Sequence, residues 1–146
     1  MTPSRKPSPR MWIVLATMGL FLLGTSAVRT MARPPQDEDW AAPDAAKKVK
    51  NPVPANPASV AAGKVVYTNK CAFCHGDGGK GDGPDADLYD PGPANFTDAS
   101  LMRGMSDGEL FYKITEGRRP MPSFKKDLNE TQRWQAVDYL RTFAKK

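Results

Sequence analysis

Cys71-Ala72-Phe73-Cys74-His75-Gly76 contains both cysteines and the only histidine of a 146-residue chain. Two thiols three residues apart, with an imidazole directly behind them, suit a structural zinc site, a dithiol redox pair, a simple disulfide or covalent attachment of a prosthetic group. Zinc normally takes four nitrogen or sulfur ligands, and the chain has no further Cys or His to supply the fourth. A thioredoxin-like pair follows a strand in a βαβ unit, whereas Ser59–Lys70, just ahead of Cys71, reads as a helix. A disulfide is permitted in an exported chain.

The spacing is the CxxCH signature of c-type haem attachment. Thiols at Cys71 and Cys74 can reach the two vinyl groups along one haem edge, and the adjacent His75 then lies beneath the iron as an axial ligand. The sixth ligand cannot be a second histidine from this chain. Thioether candidates after the motif are Met102, Met105 and Met121. Met121 lies in Gly117-Arg118-Arg119-Pro120-Met121-Pro122-Ser123-Phe124, where two prolines stiffen an extended loop and hold the side chain outward. Met102 and Met105 read as pocket wall, the usual role of methionine. A metal-bound histidine normally donates its second ring N–H to an acceptor, and the Pro93 carbonyl is the expected one. The glycine- and aspartate-rich run His75–Pro84 reads as a flexible, turn-rich loop, because a calcium-binding repeat would recur and this one occurs once.

Around this motif the charge is unevenly placed. Of 21 basic residues, Arg5, Lys6, Arg10, Arg29 and Arg33 precede residue 34 without an acid, which leaves 16 basic against 16 acidic side chains afterwards and accounts for the whole net charge of +5. These cations bracket Met11–Val28, eighteen residues without an ionisable side chain. That pattern indicates a membrane or export segment and excludes nucleic acid as the reason for the basic pI. As a helix it reaches about 27 Å, just short of a hydrocarbon core of about 30 Å. It reads either as a transmembrane signal-anchor, favoured by its length and by Trp12, or as a cleaved signal peptide ending at Thr25-Ser26-Ala27. In both cases the N-terminus is cytoplasmic and the rest exported, which in a bacterium puts residues 1–10 inside the inner membrane and the folded part in the periplasm.

Residues 29–58 carry Pro34, Pro35, Pro43, Pro52, Pro54 and Pro57 with few large apolar side chains and read as a semi-rigid linker. Extended, its proline-rich part could reach ~75 Å from the bilayer; the alternative is that it lies along its own domain or a partner. Residues 59–146 form the domain. Ser106-Asp107-Gly108-Glu109 is a capping-box pattern opening a helix that Gly117 stops. Glu130–Lys146 spaces Trp134, Val137, Leu140 and Phe143 helically, and its expected partner is Ser59–Lys70, where Gly63 permits close approach. With no convincing strand, the fold class is all-α.

Gly63 and Tyr67, Cys71-Ala72-Phe73-Cys74-His75-Gly76, Pro120-Met121-Pro122, and Trp134 with Tyr139-Leu140 resemble, in this order, class I monohaem cytochrome c of the membrane-anchored bacterial type. The resemblance covers about residues 59–146. It implies a small helical fold around one covalent haem c held by Cys71 and Cys74, with His75 and Met121 as axial ligands. It further implies a one-electron carrier and no enzyme; the family itself does not supply the partner, and the expected ones are redox proteins such as a quinol-oxidising complex, a terminal oxidase or another electron acceptor. The alternatives are a fixed subunit of a larger membrane redox complex, or a haem enzyme or sensor with a labile Met121. Residues 77–98 hold six acids against Lys80 alone, whereas Arg118, Arg119, Lys125 and Lys126 form a basic rim around Met121, suited to an acidic partner.

Overall fold

The computed structural model describes residues 40–144. The basic tail 1–10, the apolar segment 11–28 and the first part of the linker therefore lie outside the described residues, within which no helix is long and apolar enough to cross a membrane. The described elements are helices α1 (Asp44–Lys47), α2 (Pro57–Lys70), α3 (Ala72–His75), α4 (Ala99–Gly104), α5 (Asp107–Glu116) and α6 (Glu130–Phe143), with one 3-10 turn at Ala86–Leu88. Among the described residues the only extended pairing is an isolated bridge between Arg118 and Met121.

Each long helix starts where a side chain accepts its first free amide. The Asn56 side chain accepts from Ser59 N at 2.9 Å and Pro57 occupies the first turn, so α2 begins two residues ahead of the expected Ser59. At α6 the capping box is complete: Asn129 Oδ1 accepts from Gln132 N and Gln132 Oε1 from Asn129 N, both at 2.9 Å. At α5 only half of the expected box forms. Ser106 Oγ accepts from Glu109 N (3.1 Å), but the Glu109 carboxylate turns instead to Lys113 Nζ (3.1 Å). Gly117, with φ of 64°, ends that helix. Helix α4 was not anticipated; Asp98 caps it by accepting from Ser100 N (2.7 Å) and Leu101 N (3.1 Å).

Helices α2 and α6 cross at Gly63, where a methyl group would run into the Gln135 carbonyl. Val66 and Tyr67 of α2 are buried with Trp134, Val137, Leu140 and Phe143 of α6 in one core. Two polar groups of α6 fasten other elements to it. Buried Asp138 accepts from Ser59 Oγ (2.5 Å) and from Asn51 Nδ2 (2.8 Å). Arg141 pairs through Nε with Asp107 (2.7 Å), and its guanidinium donates to the carbonyls of Met102 and Met105, gripping the α4–α5 junction.

Residues 40–56, read from the sequence as linker, lie along the domain. Ala42 is buried, Val53 packs against the core, and the Ala46 and Val49 backbones rest on Gly108. Ser106 Oγ donates to the Lys47 carbonyl at 2.8 Å. Few apolar residues suffice here, because hydrogen bonds to α5 and α6 supply the attachment.

Replacing Gly63 with alanine should lower unfolding stability by roughly 2 kcal/mol, since the clash is with backbone and only separation of the helices relieves it. The midpoint of denaturant unfolding measures this, and an unchanged midpoint would contradict the crossing.

Candidate functional site

The stretch from Cys71 to Gly76 continues α2 by one further turn. Cys71 N donates to Tyr67 O (2.8 Å), His75 N to Cys71 O (2.9 Å) and Gly76 N to Ala72 O (2.8 Å). Positions i, i+3 and i+4 of a helical turn share a face. Cys71, Cys74 and His75 accordingly line one cavity, while Phe73 between them is 62% exposed. The buried Tyr67 hydroxyl donates to the Gly76 carbonyl at 2.6 Å and fixes the end of the turn.

The glycine-rich run that follows, expected as a flexible loop, is pinned by its amides. Gly81 N donates to His75 O (2.9 Å), Gly83 N to Cys74 O (3.1 Å) and Asp85 N to Phe73 O (3.2 Å). These bonds satisfy the carbonyls left over at the end of a helix. Phe96 N returns to Gly79 O at 2.7 Å, and the Phe96 ring stacks on the His75 imidazole with centroids 4.5 Å apart.

His75 donates its Nδ1 hydrogen to the Ala94 carbonyl at 3.1 Å. The expected acceptor was Pro93, whose carbonyl faces Gly81 instead. A carbonyl can only accept, so Nδ1 carries the proton and Nε2 keeps its lone pair for a metal. Burial lowers the imidazole pKa, partly opposed by this bond.

The turn from Gly117 to Phe124 supplies another part of the lining. The Arg118–Met121 bridge closes it, Ser123 Oγ donates to Thr115 O (2.6 Å), and Phe124 N donates to Ile114 O (3.1 Å). Met121 is half-buried and lines the same cavity as His75. Met105 is cavity wall as expected, whereas Met102 sits fully buried in the core and does not line the cavity. The cavity has a volume of about 670 Å³ and is largely apolar. Two thiols, a lone-pair nitrogen and a thioether lining one largely apolar cavity fit a flat macrocycle with a central metal, the haem c of the sequence reading.

The competing chemistries fit less well. Burial, and then the neighbouring Cys74, push the Cys71 thiol up to about 12. Cys74 is also raised, by burial and by Asp85. A dithiol redox pair needs a stabilised thiolate, the opposite tendency. Among the described residues no three His, Cys, Asp or Glu side chains gather as a metal site would require, and both thiols are free.

Several contributors were not foreseen. Trp40 lines the cavity, with Lys113 Nζ 5.6 Å and the Arg118 guanidinium 5.1 Å from its ring centroid. Its only signal was a lone large aromatic in a proline-rich stretch. Lys113 is buried in the cavity wall, 3.1 Å from Glu109 and 3.4 Å from the Met105 sulfur. The basic rim is less open than its sequence suggested: Arg118 and Arg119 are at the cavity, and Lys125 pairs with Glu116 at 3.2 Å.

The family described as "Cytochrome C oxidase, cbb3-type, subunit III" matches residues 58–140. Among solved structures, a chain of the reducing HAO-like protein complex of Kuenenia stuttgartiensis is similar, with a TM-score of 0.55 and 28% identity. The similarity covers 73% of this chain and 53% of that one, so the chain spans about half the length of its structural neighbour. No curated protein matches.

A raised thiol pKa means less thiolate at neutral pH. In the chain without a bound group, Cys71 should therefore alkylate with iodoacetamide at pH 8 at least about a hundredfold more slowly than free cysteine. Its rate should climb about tenfold per pH unit toward 12, the value to which burial raises it. Mass spectrometry of the labelled peptide reads both, and fast labelling of Cys71 at pH 8 would revive the dithiol reading.

Proposed function

The chain belongs to the family matched over residues 58–140, a family of class I-like cytochrome c domains, and on that premise we propose that it carries one covalently attached haem c and moves single electrons. The observation that carries this reading is the placement of Cys71, Cys74 and His75 on one helical turn, in the lining of a largely apolar cavity that Met121 also lines. Bound there, the haem supplies an iron that changes oxidation state by one electron.

The chain's own residues do the remainder. Cys71 and Cys74 are the thiols that hold the macrocycle edge. His75 offers Nε2, oriented by the Ala94 carbonyl behind it and the Phe96 ring beside it. Met121 offers its thioether from a turn that Ser123 and Phe124 tie to the end of α5. Leu110, Ile114, Phe124 and Leu140 are apolar lining that would limit water around a bound haem, and thioether ligation would favour a raised potential. If His75 and Met121 both ligated the iron, no position would be left open for a substrate, which favours a carrier over an enzyme. Lys113, in the lining, is paired with Glu109 at 3.1 Å, which disfavours an acid–base role for it.

In this reading residues 11–28 anchor the chain in the bacterial inner membrane and residues 40–144 work in the periplasm, between a quinol-oxidising complex and a terminal oxidase or other acceptor. A second reading, a fixed haem subunit of a larger redox complex, has support from the family description, which names an oxidase subunit, and from a similar chain that is part of a protein complex. Migration of the detergent-solubilised protein, alone or with partners, separates the two.

Exchanging both Cys71 and Cys74 for alanine should leave haem extractable under acid and abolish haem staining on a denaturing gel. Replacing Met121 with alanine should remove the sulfur-to-iron band from the ferric spectrum and lower the reduction potential. Persistence of that band would shift the ligand role to Met105, the other thioether in the wall.

A further inference from the structure

Residues 40–56 lie outside the family match at 58–140, yet they complete the cavity. Their contribution is Trp40, whose ring has two cations over it: Arg118, 5.1 Å from the centroid, and Lys113, 5.6 Å from it. The cations come from different pieces of structure. Lys113 belongs to α5 and is immobilised by Glu109 at 3.1 Å and the Met105 sulfur at 3.4 Å. Arg118 opens the turn that ends in Met121, with which it forms an antiparallel bridge. An indole face is the strongest aromatic partner for a cation. Trp40 therefore links a fixed helix to the turn that presents the thioether.

The segment bearing Trp40 is itself held. Ala42 is 3% exposed, Ser106 Oγ donates to Lys47 O at 2.8 Å, and Asn51 Nδ2 donates to the buried Asp138 carboxylate at 2.8 Å. The last of these bonds reaches α6, remote in sequence from the turn it supports.

We propose that Trp40 is a positioning residue for Met121, and that residues 40–56 act as a latch holding the Met121 turn against the cavity. The proposal rests on the reading of Met121 as an axial ligand. The Trp40–Arg118 contact exists only while the turn is closed, so it favours the closed state by its full differential energy. An external ligand that takes the place of Met121 binds in proportion to the fraction of turn that is open. Loss of the ring should therefore show as tighter binding of a small competitor, by about tenfold for cation–π contacts of ordinary strength.

The test is an imidazole titration of the ferric, haem-bearing full chain, read as loss of the sulfur-to-iron band. Trp40→Ala is expected to bind imidazole about tenfold more tightly than the parent. Trp40→Phe, which keeps an aromatic face, should restore most of the difference. Asn51→Ala, which frees the segment from α6 without touching the cavity, should shift affinity in the same direction by less. Unchanged imidazole affinity in Trp40→Ala would overturn the latch. If that variant fails to fold, unchanged affinity in Asn51→Ala overturns it. A parent lacking the sulfur-to-iron band would instead overturn the Met121 reading, and this shows before any variant is made.

Discussion

The bond from His75 Nδ1 to the Ala94 carbonyl, 3.1 Å long, decides which ring nitrogen faces the cavity, and the site depends on that choice. With the proton held on Nδ1, Nε2 is an acceptor only, and Phe96 stacked at 4.5 Å restricts rotation of the ring. The arrangement requires two remote segments to be in place: the helical turn that carries His75 and the loop that carries Ala94. The glycine-rich run between them does this by sending its amides back to the carbonyls of Phe73, Cys74 and His75. A segment that composition alone marks as slack is thus the brace between metal-ligand candidate and acceptor.

The scaffold meets the same need by different means. A domain of this size has limited core, so polar attachments on α6 carry unusual weight. Asp138 joins α6 to α2 and to residue 51, and Arg141 joins it to the α4–α5 junction. Because α5 leads into the Met121 turn and α2 into the Cys71 turn, α6 ties together the two helices that present these parts of the lining. The buried Asp138 is retained with its hydrogen bonds made, the condition under which such burial is tolerated.

Much of this was legible in residue order. The motif Cys71–Gly76, the Gly63 crossing, the cap at Ser106 and the Pro120-Met121-Pro122 turn are local signals, each with a short-range physical cause. The acceptor was misplaced by one residue because an irregular loop has no period from which to deduce where a carbonyl points. Lys113 looks in sequence like a solvent-facing charge and is buried only because Glu109, one turn earlier, turns away from the cap to meet it. Composition showed that residues 40–56 could not form a core of their own; it did not show that hydrogen bonds would hold them on one. The membrane anchor rests on residues outside the described range and on no structural observation.

The buried pair also bears on how the cavity treats a change of charge. Lys113 and Glu109 have side chains only 10% and 11% exposed, so an unpaired member would impose a poorly screened field on anything bound in the cavity. Together they contribute a dipole in place of a net charge. Arg119, at the cavity but exposed, is screened within about a Debye length, and the exposed Arg118 guanidinium is engaged with the Trp40 ring. A group bound in the cavity would thus meet mainly apolar side chains, with Lys113 already paired to Glu109. In the proposed reading, the donors from His75 and Met121, more than any nearby charge, would determine how readily a bound iron holds an electron, which is why the proposed hold of Trp40 on the Met121 turn would matter.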